Sequence, residues 1–184
     1  MAAVVAAALA QIGDRPAWLA AILADRYRAP FTIVFAATLG LLGAGALAAT
    51  AGALLAPKLT PDAKLLMLAL ALLFQGAGGF TRVKMPDRLE GWRLGAAVTG
   101  ALGLFILAFG DGVQFIVMTL AERSPLPWLA AAGATLGSMA VIAPAALLGE
   151  KRWTALPLRP GRMAASLVLL VAGAVIALTA LQLV

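Results

Sequence analysis

Apolar residues run in long blocks along this chain, and nearly all charged residues are confined to the gaps between them. The blocks are Met1 to Ala24, Phe31 to Ala56, Pro61 to Phe80, Leu94 to Ala121, Leu126 to Leu148 and Met163 to Val184. A helix needs about 20 apolar residues, at 1.5 Å rise each, to cross the hydrocarbon core of a bilayer. Six transmembrane helices are therefore predicted. Ahead of the third block, Thr60-Pro61-Asp62 supplies a cap residue, a proline at the first helical position and a first-turn acid. The first block lacks a basic leader and outruns a signal-peptide core, so it is read as a span.

Composition strengthens this picture. The chain has 184 residues, 63% of them hydrophobic and 12% charged, with a mean hydropathy of +1.00. Soluble domains are nearer half apolar and a quarter charged, so most of this surface must meet lipid. Cysteine and histidine are absent, which excludes disulfides, thiolate or imidazole metal ligands, and thiol or imidazole catalysis. Any metal here must accept oxygen ligands.

The net charge of +6 sits in the connectors rather than on one polar face, so it reads as membrane topology and not as a nucleic-acid surface. Connectors alternate sides, which lets basic residues be summed by side. Arg26, Arg28, Arg82, Lys84, Arg88, Arg93, Lys151, Arg152, Arg159 and Arg162 fall on one side; only Lys58, Lys64 and Arg123 fall on the other. Loops 25–30, 81–93 and 149–162 are thus expected in the cytoplasm, with both termini outside a plasma (inner) membrane.

Shifting the sequence by 97 positions superposes Gly13-Asp14 on Gly110-Asp111, Arg26 on Arg123, Pro30 on Pro127, and Ala37-Thr38-Leu39-Gly40 on Ala134-Thr135-Leu136-Gly137. Such matches point to a duplicated three-helix unit: repeat one 1–80, connector 81–93 and repeat two 94–184, within one membrane domain. Three spans per copy is odd, so the copies enter the membrane from opposite faces. The expected architecture is all-α, with six spans as two inverted repeats, a layout that recurs in transporters with a midplane site at interrupted helices. A membrane scaffold is the bland alternative.

Of eight acidic residues, only Asp14 and Asp111 lie deep in apolar blocks. Placing each at a helix centre costs about 2.5–3.5 kcal/mol on insertion scales, so both should face the protein interior or a wet cavity. Each also sits at an expected helix break: Pro16 follows Gly13-Asp14-Arg15, and Gly110 and Gly112 flank Asp111. Gln11 and Gln114 stand nearby, either as ion ligands or as partners for freed backbone groups. Thr38 and Thr135 are expected to bond carbonyls in their own helices. Asp25-Arg26 and Glu122-Arg123 read as end pairs at the membrane interface, and Trp18, Trp92, Trp128 and Trp153 as an aromatic belt, with Trp18 the misfit. Glycines in the second, third and fifth blocks suit close helix packing.

A Gly-Asp pair in the first helix of each of two inverted repeats resembles the Golgi manganese/calcium transporter family, long catalogued as uncharacterised protein family sixteen, in the lysine-exporter superfamily. The family motif is Glu-x-Gly-Asp-(Lys/Arg)-(Ser/Thr). Here the glutamate positions hold Gln11 and Ala108, the basic positions Arg15 and Gly112, and the hydroxyl positions Pro16 and Val113. The chain is a divergent member on this resemblance, with both motif glutamates replaced. Its motif side chains sum to one negative charge rather than two.

The resemblance implies a secondary transporter that moves a divalent cation, Mn²⁺ or Ca²⁺, in exchange for protons. Asp14 and Asp111 would hold the ion, Gln11, Gln114 and main-chain carbonyls would replace the missing acids, and Arg15 would tune the charge. Proton and metal would compete for the same oxygens. The alternative is a site drifted toward a monovalent ion or small organic solute. No resident cofactor is expected, and the partners are the bilayer and the cargo. One chain holds both halves, which does not exclude a homodimer. An aspartyl membrane hydrolase would need the two carboxylates in contact, and the chain is read as a non-enzyme.

Overall fold

A computed structural model describes residues 1–81 and 83–182; Arg82, counted above with the basic connectors, lies outside them. The described residues are all-helical: α1 (Ala2–Gln11), α2 (Arg15–Tyr27), α3 (Pro30–Leu55) with a short 3₁₀ turn (Ala56–Lys58), α4 (Pro61–Gly78), α5 (Gly95–Phe109), α6 (Gly112–Ala121), α7 (Trp128–Ala155) and α8 (Leu158–Ala180). Pro30 and Pro61 sit in the first turns of their helices, where a missing N–H costs nothing, and Thr60 caps α4 by accepting from the Ala63 N–H at 3.3 Å.

Among the described residues, three stretches are long and apolar enough to span a membrane: Pro30–Lys58, Trp128–Ala155 and Leu158–Ala180. The α5–α6 pair, bent by 73°, makes a fourth if taken as one broken span. The remaining two blocks fall short for visible reasons. α1 has only ten residues and α2 carries Arg15, Asp25 and Arg26, while α4 has 18 residues that include Asp62, Lys64 and Gln75.

Two apolar clusters form the interior. The first joins Leu19, Leu23, Ile33, Leu104 and Ile142 from α2, α3, α5 and α7; the second joins Ala7, Leu72, Ile116, Val117 and Leu169 from α1, α4, α6 and α8. Each broken pair therefore gives one half to each cluster, with Ala10 and Ala17 on either side of the first break and Ala108 and Val113 on either side of the second. The breaks lie on the seam between the clusters. Large apolar side chains such as Phe31, Phe35, Leu136 and Val175 point outward, as lipid contact requires.

Packing crosses between the halves: α1 and α2 lie on α7, α5 and α6 on α3, α3 on α7, and α4 on α8. The contacts are reciprocal in register. Gly40 lies against the Ala101 carbonyl and Gly137 against the Val4 carbonyl, and Val4 precedes Ala101 by the same 97 positions that separate the glycines. Likewise Gly76 meets Ser166 and Leu170, and Gly173 meets Ala69 and Leu73.

Several expectations need correction. The connector expected at 149–162 is largely helical, because α7 continues to Ala155 past a kink at Gly149 (φ 74°) and α8 begins at Leu158. Trp153 belongs to the interior at 5% exposure rather than to an interfacial belt. Asp25 and Arg26 are not an end pair. The Asp25 carboxylate accepts the Glu150 N–H at 2.7 Å, and the Arg26 guanidinium donates to the Arg88, Leu89, Glu90 and Trp92 carbonyls. Arg88 in turn pairs with Glu150, so the α2 end, the 83–94 connector and the α7 kink meet at one end of the molecule. Glu122 is buried. Thr38 and Thr135 bond the Val34 and Ala131 carbonyls of their own helices, as anticipated.

Candidate functional site: two broken helices around a polar cavity

The first break is built by Gly13. α1 ends at Gln11, Ile12 is extended, Gly13 takes φ 69°, and Asp14 caps α2 by accepting the Arg15 N–H at 2.8 Å. A side chain at residue 13 would be strained in that backbone conformation. Pro16 falls in the first turn of α2, fully buried, so it starts the second helix rather than kinking one continuous helix. The second break works differently. Neither Gly110 (φ −93°) nor Gly112 has positive φ, which corrects the expectation that both serve by backbone freedom.

The two breaks face one cavity of about 250 Å³, lined by Asp14, Arg15, Pro16, Gly110 and Asp111. That far exceeds the about 10–15 Å³ one water needs. Gln11 is fully buried and its Nε2 donates to Asp111 Oδ2 at 3.4 Å, tying the end of α1 to the start of α6. Its Oε1 is buried without a donor among the described residues. A bare amide carbonyl costs about 1–3 kcal/mol when nothing compensates it, yet Gln11 is not part of the cavity wall and reaches it only through Asp111. At the first break the Ala10 carbonyl accepts from Gln75 and the Gln11 carbonyl from the Asp14 N–H; each keeps a second lone pair.

Gln114 is placed elsewhere. It lines a second, apolar opening of about 570 Å³ between α3 and α6, where Asp111 is the one ionisable side chain in the wall among the described residues, and the Gln114 Oε1 is buried without a donor among them. Asp111 thus forms part of both walls, with Asp14 on one side and Gln114 on the other. Among the described residues no group of three or more acidic, histidine or cysteine side chains converges.

Sequence reasoning passed over two cavity residues. Gln75 of α4 was an unremarked polar residue late in an apolar block, the one available signal for it. Arg162 was counted as a connector cation. Its guanidinium lines the cavity, donates to the Thr81 and Gly78 carbonyls at 2.6 and 2.9 Å, and its aliphatic stem packs over Gly13.

Comparison with known proteins turns this arrangement into a family assignment. The profile described as "Divalent cation/proton antiporter GDT1" matches residues 1–87 and 96–183. The chain belongs to that family. It is an integral membrane cation transporter, in agreement with the resemblance read from the two Gly-Asp pairs. A Vibrio cholerae protein named "Putative manganese exporter" is 33% identical over 157 residues, spanning 82% of this chain and 76% of the relative. No solved structure matches the chain.

Proposed function

We propose that this family member exchanges a divalent cation, Mn²⁺ or Ca²⁺, for protons at Asp14 and Asp111. The observation that carries the reading is that both carboxylates line one cavity at the meeting point of two broken helices, with Gln11 fastened to Asp111. The manganese export named for the Vibrio relative favours Mn²⁺, a hard ion that accepts oxygen ligands. Gln11 and Gln114 would add amide oxygens from either side of Asp111, with Arg15 tuning the charge. Carboxylates that must be deprotonated to bind metal make proton and cargo mutually exclusive, which is the basis of exchange. The reading needs no resident cofactor, no enzymatic step and no second copy of the chain.

The same proposal includes six spans in two inverted three-helix repeats, with repeat one at 1–80, the connector at 81–93 and repeat two at 94–184. The reciprocal Gly40–Ala101 and Gly137–Val4 contacts support it, since a twofold relation makes each contact occur twice with the partners exchanged. The two stretches matched by one family profile support it as well. The clustering of α2's end, the 83–94 connector and the α7 kink at one end supports a common cytoplasmic side for these basic segments, leaving the termini outside an inner membrane.

A second reading has one observation in its favour. The ionisable side chains lining the cavity are Asp14, Asp111, Arg15 and Arg162, two of each sign, so a divalent ion would enter a site of no net charge. A monovalent ion or small organic solute would meet less imbalance. Mn²⁺ uptake into proteoliposomes with an internal pH dye tests the first reading: Asp14→Asn and Asp111→Asn should each reduce uptake to background while the protein stays folded. Full uptake in both variants would remove the site. Thermal stabilisation by Na⁺ alone, with none from Mn²⁺, Ca²⁺ or Mg²⁺, would favour the second reading.

A further inference from the structure

We infer that Gln75 of α4 is a further side chain of the cargo site, presenting a neutral oxygen from outside either broken pair, and that residue 112 is glycine to make room for it. The inference rests on the cation-exchange reading and deepens it. Gln75 lines the cavity shared by Asp14 and Asp111. Its Nε2 donates to the Ala10 carbonyl, in the last turn of α1, at 3.5 Å. A carbonyl only accepts, so the amide nitrogen must take that side and Oε1 the other. Among the described residues nothing donates to this oxygen, and Gln75 is only half-buried, open to the cavity.

Oε1 lies against Gly112, the first residue of α6. A Cβ at residue 112 would collide with it and come within 3.1 Å of Cδ. Positive φ does not explain this glycine, because among the described residues only Gly13, Gly95 and Gly149 adopt it. Space explains it. Any side chain at residue 112 would force the Gln75 amide out of its present position at the second break.

The position has no counterpart in repeat two, where 97 residues further on stands Ala172. The site is therefore one-sided: α4 brings a neutral amide, whereas α8 brings the Arg162 guanidinium. With lining charges balanced, a hard cation must complete its shell from neutral oxygens and water, and an uncommitted amide oxygen beside two carboxylates is that kind of ligand.

Mn²⁺ uptake by the full chain in proteoliposomes, measured against Mn²⁺ concentration, tests this. Gln75→Ala should raise the half-saturating Mn²⁺ about tenfold with little change in maximal rate, and Gly112→Ala should do the same by displacing the amide. The double variant should be no worse than Gln75→Ala, since both remove one oxygen. Gln75→Glu should keep or lower the half-saturating concentration. Unchanged saturation in Gln75→Ala, or shifts that add in the double variant, would overturn the inference. Metal-free thermal unfolding guards against a folding defect: if Gln75→Glu restores stability but not Mn²⁺ saturation, Gln75 only ties α4 to α1 and the inference falls. Failure of wild-type protein to carry any divalent cation would sink the exchange reading and this inference together. Wild-type uptake that depends on Asp14 and Asp111 but not on Gln75 would sink the inference alone.

Discussion

Asp25 and Glu122 stand 97 residues apart, each at the C-terminal end of the second helix of a broken pair, yet their carboxylates have opposite surroundings. Asp25 is exposed and accepts the Glu150 N–H, which is available because α7 breaks at Gly149. Glu122 is 3% exposed, and among the described residues neither carboxylate oxygen has a hydrogen-bond partner. The reason lies in the facing helix. α3 stays helical through Gly52 and Ala53, the counterparts of Gly149 and Glu150, and frees no N–H for Glu122. Burial pushes the Glu122 carboxyl above its ordinary 4.5, with Lys64 acting against the shift. Residues at matching offsets thus share a place at the end of a broken helix pair, while the fate of a charge depends on whether the opposing backbone opens.

The sharpest way to break the scaffold half of that comparison is to fill its reciprocal contacts. Gly40→Ala and Gly137→Ala should each cost about 1–3 kcal/mol by overpacking a carbonyl, less about 1 kcal/mol of helix propensity regained. The two losses should be nearly equal in detergent melts. A clear inequality would show that the halves are not equivalently packed. A smaller effect belongs to Asp25→Ala, which leaves the Glu150 N–H without its acceptor and should cost about 1 kcal/mol, as lost caps do; a neutral result would demote the contact to a surface accident.

Glu122→Gln should show the smallest effect, with the opposite sign. A raised folded-state pKa means the folded protein keeps a proton that the unfolded chain has released, so stability falls as pH rises from 4.5 through the higher folded value. The Gln variant should therefore melt higher than wild type near neutral pH, and the gain should shrink toward acid. Loss of stability at neutral pH would mean that the ionised Glu122 carboxylate has a partner after all.

Much of the candidate cavity's lining was legible because membrane energetics leave few options. Two acids deep in apolar blocks, each beside a glycine at one fixed offset, had to find each other or a wet cavity, and Asp14 and Asp111 share one. Gln11 followed from its position three residues before Asp14. Gln114 follows Asp111 by three residues, where Gln11 precedes Asp14 by three, and it falls on the far side of Asp111, in the opening between α3 and α6. Gln75 and Arg162 were not legible as cavity residues, since they arrive from α4 and α8, which sequence distance keeps far from either break.

What the sequence determined by itself was the solvent, the apolar blocks and the two exceptional carboxylates, because each follows from local cost: polar groups in lipid are expensive. Only the tertiary structure decided which helix faces which break, that Gly112 lies against Gln75 without a positive φ, and that acids at matching offsets meet different partners. Those outcomes depend on packing between segments far apart in the chain, which no local pattern records.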